Sequence, residues 1–119
     1  MHQVLSNLVS NSIDAMPQPG TISISIEDSS WEGMPGVNII VADTGKGIPS
    51  ENLPRLFVPF FTTKPDAGTG LGLWVVKQFV ESWSGRISVK SSTDKDNHWT
   101  TFSLFVPVVA LSKTRNKNI

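Results

Sequence analysis

The sequence predicts an α+β fold: a two-layer α/β sandwich in which a mixed, mostly antiparallel sheet carries helices on one face. Three observations predict it. Residues 3–16 and 70–83 repeat apolar side chains at helical spacing. Residues 21–27, 86–90 and 100–106 alternate apolar with polar side chains, as half-buried strands do. Residues 37–42 form a short continuous apolar run that reads as a buried strand. At 119 residues the chain is long enough for one core and too short for two, and it has no internal repeat.

The first helix runs to Met16 and is stopped by Pro17 and the Pro19-Gly20 pair. At about 100° per residue, Gln3, Asn7, Ser10, Asn11 and Asp14 form a polar stripe. Val4, Leu5, Leu8, Val9, Ile13 and Met16 form a broad apolar face. Such a stripe is commonly a solvated edge, yet asparagines at i and i+4 are poor helix formers and odd choices for an ordinary exposed face. In the first strand, Ile22, Ile24 and Ile26 share one side. A loop containing Gly33, Pro35 and Gly36 leads to the second, giving an antiparallel pair with one face on the helices. Trp31 in that loop has no role in the sequence alone.

The apolar run ends in Asp43-Thr44-Gly45-Lys46-Gly47-Ile48-Pro49. A carboxylate at a buried strand end is costly unless it meets a donor, and an adenine amino group is one. Glycines let backbone approach a ligand and let the chain turn with positive φ. Ser50 reads as the N-cap of a short helix over residues 51–56, with Pro54 awkward inside it. Phe57, Phe60 and Phe61 crowd beside Pro59, and by themselves read as core or loop-packing aromatics. Lys64, after Thr62 and Thr63, is either a phosphate ligand or a solvated surface lysine.

Gly68-Thr69-Gly70-Leu71-Gly72-Leu73 then runs into the second helix, whose N-terminus offers free N–H groups and a positive dipole end to phosphate. Leu73, Val75, Val76, Phe79, Val80 and Trp83 form its buried arc, Lys77, Gln78 and Glu81 its wet side, and Gly85 its C′ position. Trp74 breaks the pattern by falling on the polar side. The last two strands flank an Asp/Lys/Asn loop that reads as a solvated hairpin tip.

Ten basic and ten acidic residues leave no net charge, which argues against a nucleic-acid-binding surface. Without cysteine there is neither a disulfide framework nor a Cys-ligated metal, in keeping with a reducing cytosol. No apolar run approaches the roughly 20 residues of a membrane span, so the expectation is a cytoplasmic piece without membrane contact. A cytosolic part of a membrane-anchored protein has the same composition.

Taken in order, the asparagine helix, the Asp-Gly loop, the phenylalanine box and the Gly-rich stretch resemble the ATP-binding domain of two-component sensor histidine kinases. The wider superfamily includes type II topoisomerase ATPase subunits, mismatch-repair ATPases and heat-shock chaperones. The resemblance covers residues 3–107 and implies ATP and Mg²⁺ as ligands. It implies that Asn7, Asn11 and Asp14 face the nucleotide, with Asn11 ligating Mg²⁺ through its amide oxygen. It gives Asp43 the adenine, with Gly45 and Gly47 beside it, and makes Thr100 a hydrogen-bonding support for Asp43. Phe60 anchors a lid, Lys64 reaches the phosphates, and Gly68, Gly70, Leu71 and Gly72 line them. Residues 1–107 form the domain and 108–119 a polar tail.

The family domain also has a strand and short helix ahead of the asparagine box, so the expectation is a truncated piece lacking an N-terminal edge strand. Sensor kinases pass the γ-phosphoryl group to a histidine on a separate helical hairpin of the same or a sister chain, and from there to a response regulator. Neither His2 nor His98 lies in such an acceptor segment, and monomer is the default. The rival reading is an ATP-hydrolysing clamp of the topoisomerase or mismatch-repair type, whose general-base glutamate stands four residues ahead of the asparagine. Here that position is Asn7, which cannot take a proton. A non-catalytic nucleotide-sensing or anti-sigma-like module is a third.

Overall fold

The computed structural model describes residues 2–16, 19–59 and 72–109. In chain order these form α1 (His2–Asp14), β1 (Ile22–Trp31), β2 (Met34–Asp43), a 3₁₀ turn (Leu53–Arg55), α2 (Gly72–Ser82), β3 (Arg86–Asp94) and β4 (Asn97–Pro107). The strands make one sheet in the order β1-β2-β4-β3, antiparallel at each of its three junctions. The α+β class and the mostly antiparallel sheet expected from the sequence are both found.

Each strand is longer than its periodic core because tight turns extend the pairing. Trp31 pairs with Met34 across Glu32-Gly33. Both turn residues have positive φ, 48° and 81°, the combination that matches a two-residue hairpin to the right-handed twist of its strands. The expected loop at Pro35 and Gly36 is therefore strand. On the other hairpin, Asp94 pairs with Asn97, and Asp94 Oδ1 accepts the Asp96 N–H at 3.0 Å across the turn.

The core joins Val4 and Leu8 of α1, Val76 and Val80 of α2, Ile39 and Val41 of β2, and Phe102, Leu104 and Val106 of β4. Phe57 packs edge-on to Phe102, ring centroids 6.5 Å apart, and carries Lys77 Nζ 5.8 Å from its centre. Ile24 and Ile26 depart from expectation. They stand opposite Val41 and Ile39, on the helix side of the sheet, yet are 51% and 65% exposed. Periodicity reports which face a side chain takes, and here α1 meets β1 while leaving Ile24 and Ile26 largely uncovered.

Ile13 and Phe79 likewise leave the buried arcs assigned to them. The buried line of α1 is Val4, Leu8 and Ser12, four residues apart. α2 closes with Ser84 N–H donating to Glu81 O at 3.0 Å and Gly85 N–H to Val80 O at 2.9 Å. Ser84 (φ 60°) is thus the C′ residue, and Gly85 follows it. The helix expected over residues 51–56 is a single 3₁₀ turn without a side-chain cap, which accepts Pro54 because its first N–H groups need no intrahelical partner. Trp31 gains a contact across the sheet: the Arg86 guanidinium lies 4.5 Å from its ring centre.

Ser12 is 1% exposed, and its hydroxyl has no hydrogen-bond partner among the described residues. Because a buried unpaired hydroxyl costs free energy, Ser12→Ala is expected to stabilise the fold by about 1 kcal/mol in urea denaturation. Leu8→Ala, which opens a hole at a side chain with 0% exposure, is expected to cost about 2–5 kcal/mol in the same assay.

Candidate functional site

The apolar run of β2 carries Asp43 to the end of the sheet, where it is 4% exposed. Its one partner among the described residues is two positions along: Asp43 Oδ1 accepts the Gly45 N–H at 2.8 Å. That bond turns the loop back, and the turn is then fastened to its surroundings by backbone groups. Thr44 N–H donates to Thr21 O at 3.1 Å, and Thr44 Oγ1 accepts Thr21 N–H at 2.9 Å. Lys46 N–H donates to Ala15 O at 3.0 Å, just past α1. Gly45 is forced by this proximity, since a Cβ there would come within 2.7 Å of Ala15 O. Gly47 combines φ +81° with close contact to the Ser92 backbone.

The tip of the β3–β4 hairpin supports the other side of the loop. Ile48 N–H donates to Ser91 Oγ at 2.8 Å. Ser91 Oγ also lies 2.8 Å from Trp99 O and from Thr100 Oγ1. The proton count closes in one way: Ser91 gives its proton to Trp99 O and accepts from Ile48 N–H and from the Thr100 hydroxyl. His98 Nδ1 lies 2.6 Å from Gly45 O and 3.1 Å from Thr44 O.

Thr100 therefore departs from its expected role. It stands directly across from Asp43 in the β2–β4 register, but its hydroxyl is engaged with Ser91 and makes no bond to the carboxylate. Its support of Asp43 is indirect, through Ser91 and the loop. Neither Ser91 nor His98 was a candidate from sequence, and no signal in the chain could have found them: they lie more than 40 residues from their loop partners, at |i−j| of 43 and 53.

Asn7 and Asn11 of α1 and Ala15 just past its end follow one another at four-residue spacing, the line that lies along one side of a helix. At one end Asn7 Nδ2 donates to Gly72 O, 3.3 Å away, at the start of α2. At the other, Ala15 O holds Lys46. Asn11 lies midway, half-buried, over a span of about 12 Å at 1.5 Å per residue. The asparagine helix thus links the Asp43 loop to the last glycine of the Gly-rich stretch. Asp14 is exposed on the same helix. Phe60, Lys64, Gly68, Gly70 and Leu71 lie outside the described residues.

A Mg²⁺ ion keeps several waters and takes phosphate oxygens, so it needs few protein ligands. Among the described residues no group of three His, Asp or Glu side chains could hold a metal alone. The Asn11 amide oxygen, between the loop and Gly72, suits an ion brought in with phosphates. No helix among the described residues is long and apolar enough to cross a membrane.

The family described as histidine kinase-, DNA gyrase B-, and HSP90-like ATPase matches residues 1–110. The sensor histidine kinase ZraS of Salmonella typhimurium is 45% identical over 108 residues, covering 91% of this chain and 22% of that protein. Sporulation kinase A of Bacillus subtilis is 38% identical over 107 residues, covering 90% of this chain and 16% of that protein. The chain thus spans less than a quarter of the length of either relative. Among solved structures, the catalytic domain of histidine kinase ThkA is similar with a TM-score of 0.71 at 36% identity, covering 88% of this chain and 64% of that one. The mycobacterial sensor histidine kinase MprB, at 24% identity, shares the fold with a TM-score of 0.75, over 88% and 70% of the two chains.

Gly47→Ala is expected to destabilise the fold by more than about 1 kcal/mol, from positive φ and from the clash with Ser92 together. Thermal denaturation checks it, with Gly33→Ala as the comparison: that turn also has positive φ, but nothing lies within 4 Å of the added Cβ.

Proposed function

Because the chain belongs to the histidine kinase-, DNA gyrase B- and HSP90-like ATPase family, we propose that it is the ATP-binding catalytic domain of a sensor histidine kinase. In this reading it holds ATP with Mg²⁺ and presents the γ-phosphate to a histidine on a separate helical hairpin, from which a response regulator is charged. The observation that carries the proposal is the α1 line, with Asn11 between the Asp43 loop and Gly72. Asp43 is suited to the adenine amino group, Asn11 to Mg²⁺, and the start of α2 to phosphate. Phe60, Lys64, Gly68, Gly70 and Leu71 complete the proposed site from the segment between.

Transfer to histidine forms a P–N bond as the bond from the γ-phosphorus to the ADP oxygen breaks. The catalytic demand is mainly placement and charge stabilisation, which a rigid cradle supplies. A hydrolytic clamp would also need a base for water. Asn7 stands where that glutamate would be, and its amide is engaged with Gly72 O. This favours a kinase over a clamp.

Three outcomes are expected. Asp43→Ala, folded, loses about 1–3 kcal/mol of ATP affinity in a nucleotide titration; unchanged affinity removes Asp43 from the site. Asn11→Ala weakens the magnesium-dependent part of ATP binding, and an identical magnesium dependence in variant and parent refutes the ligand assignment. With radiolabelled ATP, acid-labile label appears only on a separately supplied acceptor hairpin from the full-length protein. Rapid magnesium-dependent phosphate release by the chain alone, abolished in Asn11→Ala, points to the clamp instead.

A further inference from the structure

We propose that His98 is a positioning residue for base recognition, acting through Gly45 on Asp43; this rests on the nucleotide reading above. Carbonyl oxygens only accept, so the Nδ1 atom facing Gly45 O at 2.6 Å and Thr44 O at 3.1 Å carries a proton and donates it to both. The N–H of that same Gly45 is bonded to Asp43 Oδ1 at 2.8 Å. Gly45 is therefore held from two sides: the carboxylate takes its N–H and the imidazole its C=O. Fixing the peptide on either side of Gly45 fixes the direction in which the loop offers that N–H, and hence the rotamer of Asp43.

The other hairpin contacts fall farther along the loop. Ser91 holds Ile48, and the Ser92 backbone abuts Gly47. His98 alone among the described hairpin residues bonds to the turn that Asp43 closes. Its side chain is exposed and outside the hydrophobic core, so its effect is expected on the loop rather than on global stability. Without it, Gly45 O turns to water, and the carboxylate loses the fixed orientation that distinguishes an adenine amino donor from a guanine carbonyl.

The test compares the parent chain with His98→Ala, His98→Asn and His98→Gln, measuring Mg·ATP and Mg·GTP affinity and amide hydrogen exchange over residues 44–48. An asparagine amide nitrogen occupies the place of Nδ1, whereas glutamine carries its donor one bond farther. His98→Ala is expected to weaken ATP binding roughly 5- to 10-fold, the worth of one hydrogen bond, to leave GTP affinity unchanged, and to speed exchange in the loop. His98→Asn is expected to return ATP affinity to within about twofold of the parent, while His98→Gln behaves like alanine. A folded His98→Ala with parental ATP affinity overturns the inference, as does an equal loss for both nucleotides without rescue by asparagine. If His98→Ala does not fold, equal ATP affinities of the Asn and Gln variants overturn it. ATP binding by the parent in any of these cases leaves the nucleotide reading standing; a parent chain that binds no ATP overturns that reading and this inference together.

Discussion

A carboxylate almost sealed from solvent must be given a donor, and the loop after β2 is built around that requirement. Asp43 is 4% exposed, and the donor the chain supplies is the N–H of Gly45. Closing so short a turn presses Gly45 against the end of α1, where only a residue without a Cβ fits. Once there, the loop sends its backbone groups to its neighbours. Thr21, Ala15, Ser91 and His98 receive them in turn. Each bond offsets a desolvated amide or carbonyl, and together they turn a glycine-rich segment into a fixed surface.

The same arrangement explains why the site sits at one end of the sheet. The hydrophobic layer lies over β2 and β4, whose middle residues meet Leu8 and Val76 and Val80. Toward the Asp43–Thr100 end, apolar pairs give way to a carboxylate and hydroxyls, and polar groups take over from packing. α1 serves both regions. Val4 and Leu8 face the core, while the line of Asn7, Asn11 and Ala15 faces the loop and α2. A single helix therefore sets the distance between the part suited to a base and the part suited to phosphate. If the proposed phosphoryl transfer is the reaction, its catalysis is mostly placement, and that distance then matters as much as any functional group.

Much of this was legible in the sequence. Helical spacing, alternation and the apolar run gave both helices and all four strands, although α1 ends at Asp14, two residues before the Met16 expected from the sequence. The order of the asparagine helix, the Asp-Gly loop, the phenylalanine box and the Gly-rich stretch carried the resemblance to the family whose match spans residues 1–110. Asn7, Asn11, Asp43 and the loop glycines are the proposed site residues that this resemblance named. Tertiary structure decided what spacing cannot encode. It left Ile24 and Ile26 uncovered, because a period names a face and not the reach of the helices above it. It moved the left-handed residue after α2 to Ser84 and turned the Thr100 hydroxyl to Ser91, because those choices depend on which neighbours compete for each bond. And it brought His98 to Gly45 across a |i−j| of 53, since antiparallel register joins residues by their place across the sheet, whatever their distance along the chain.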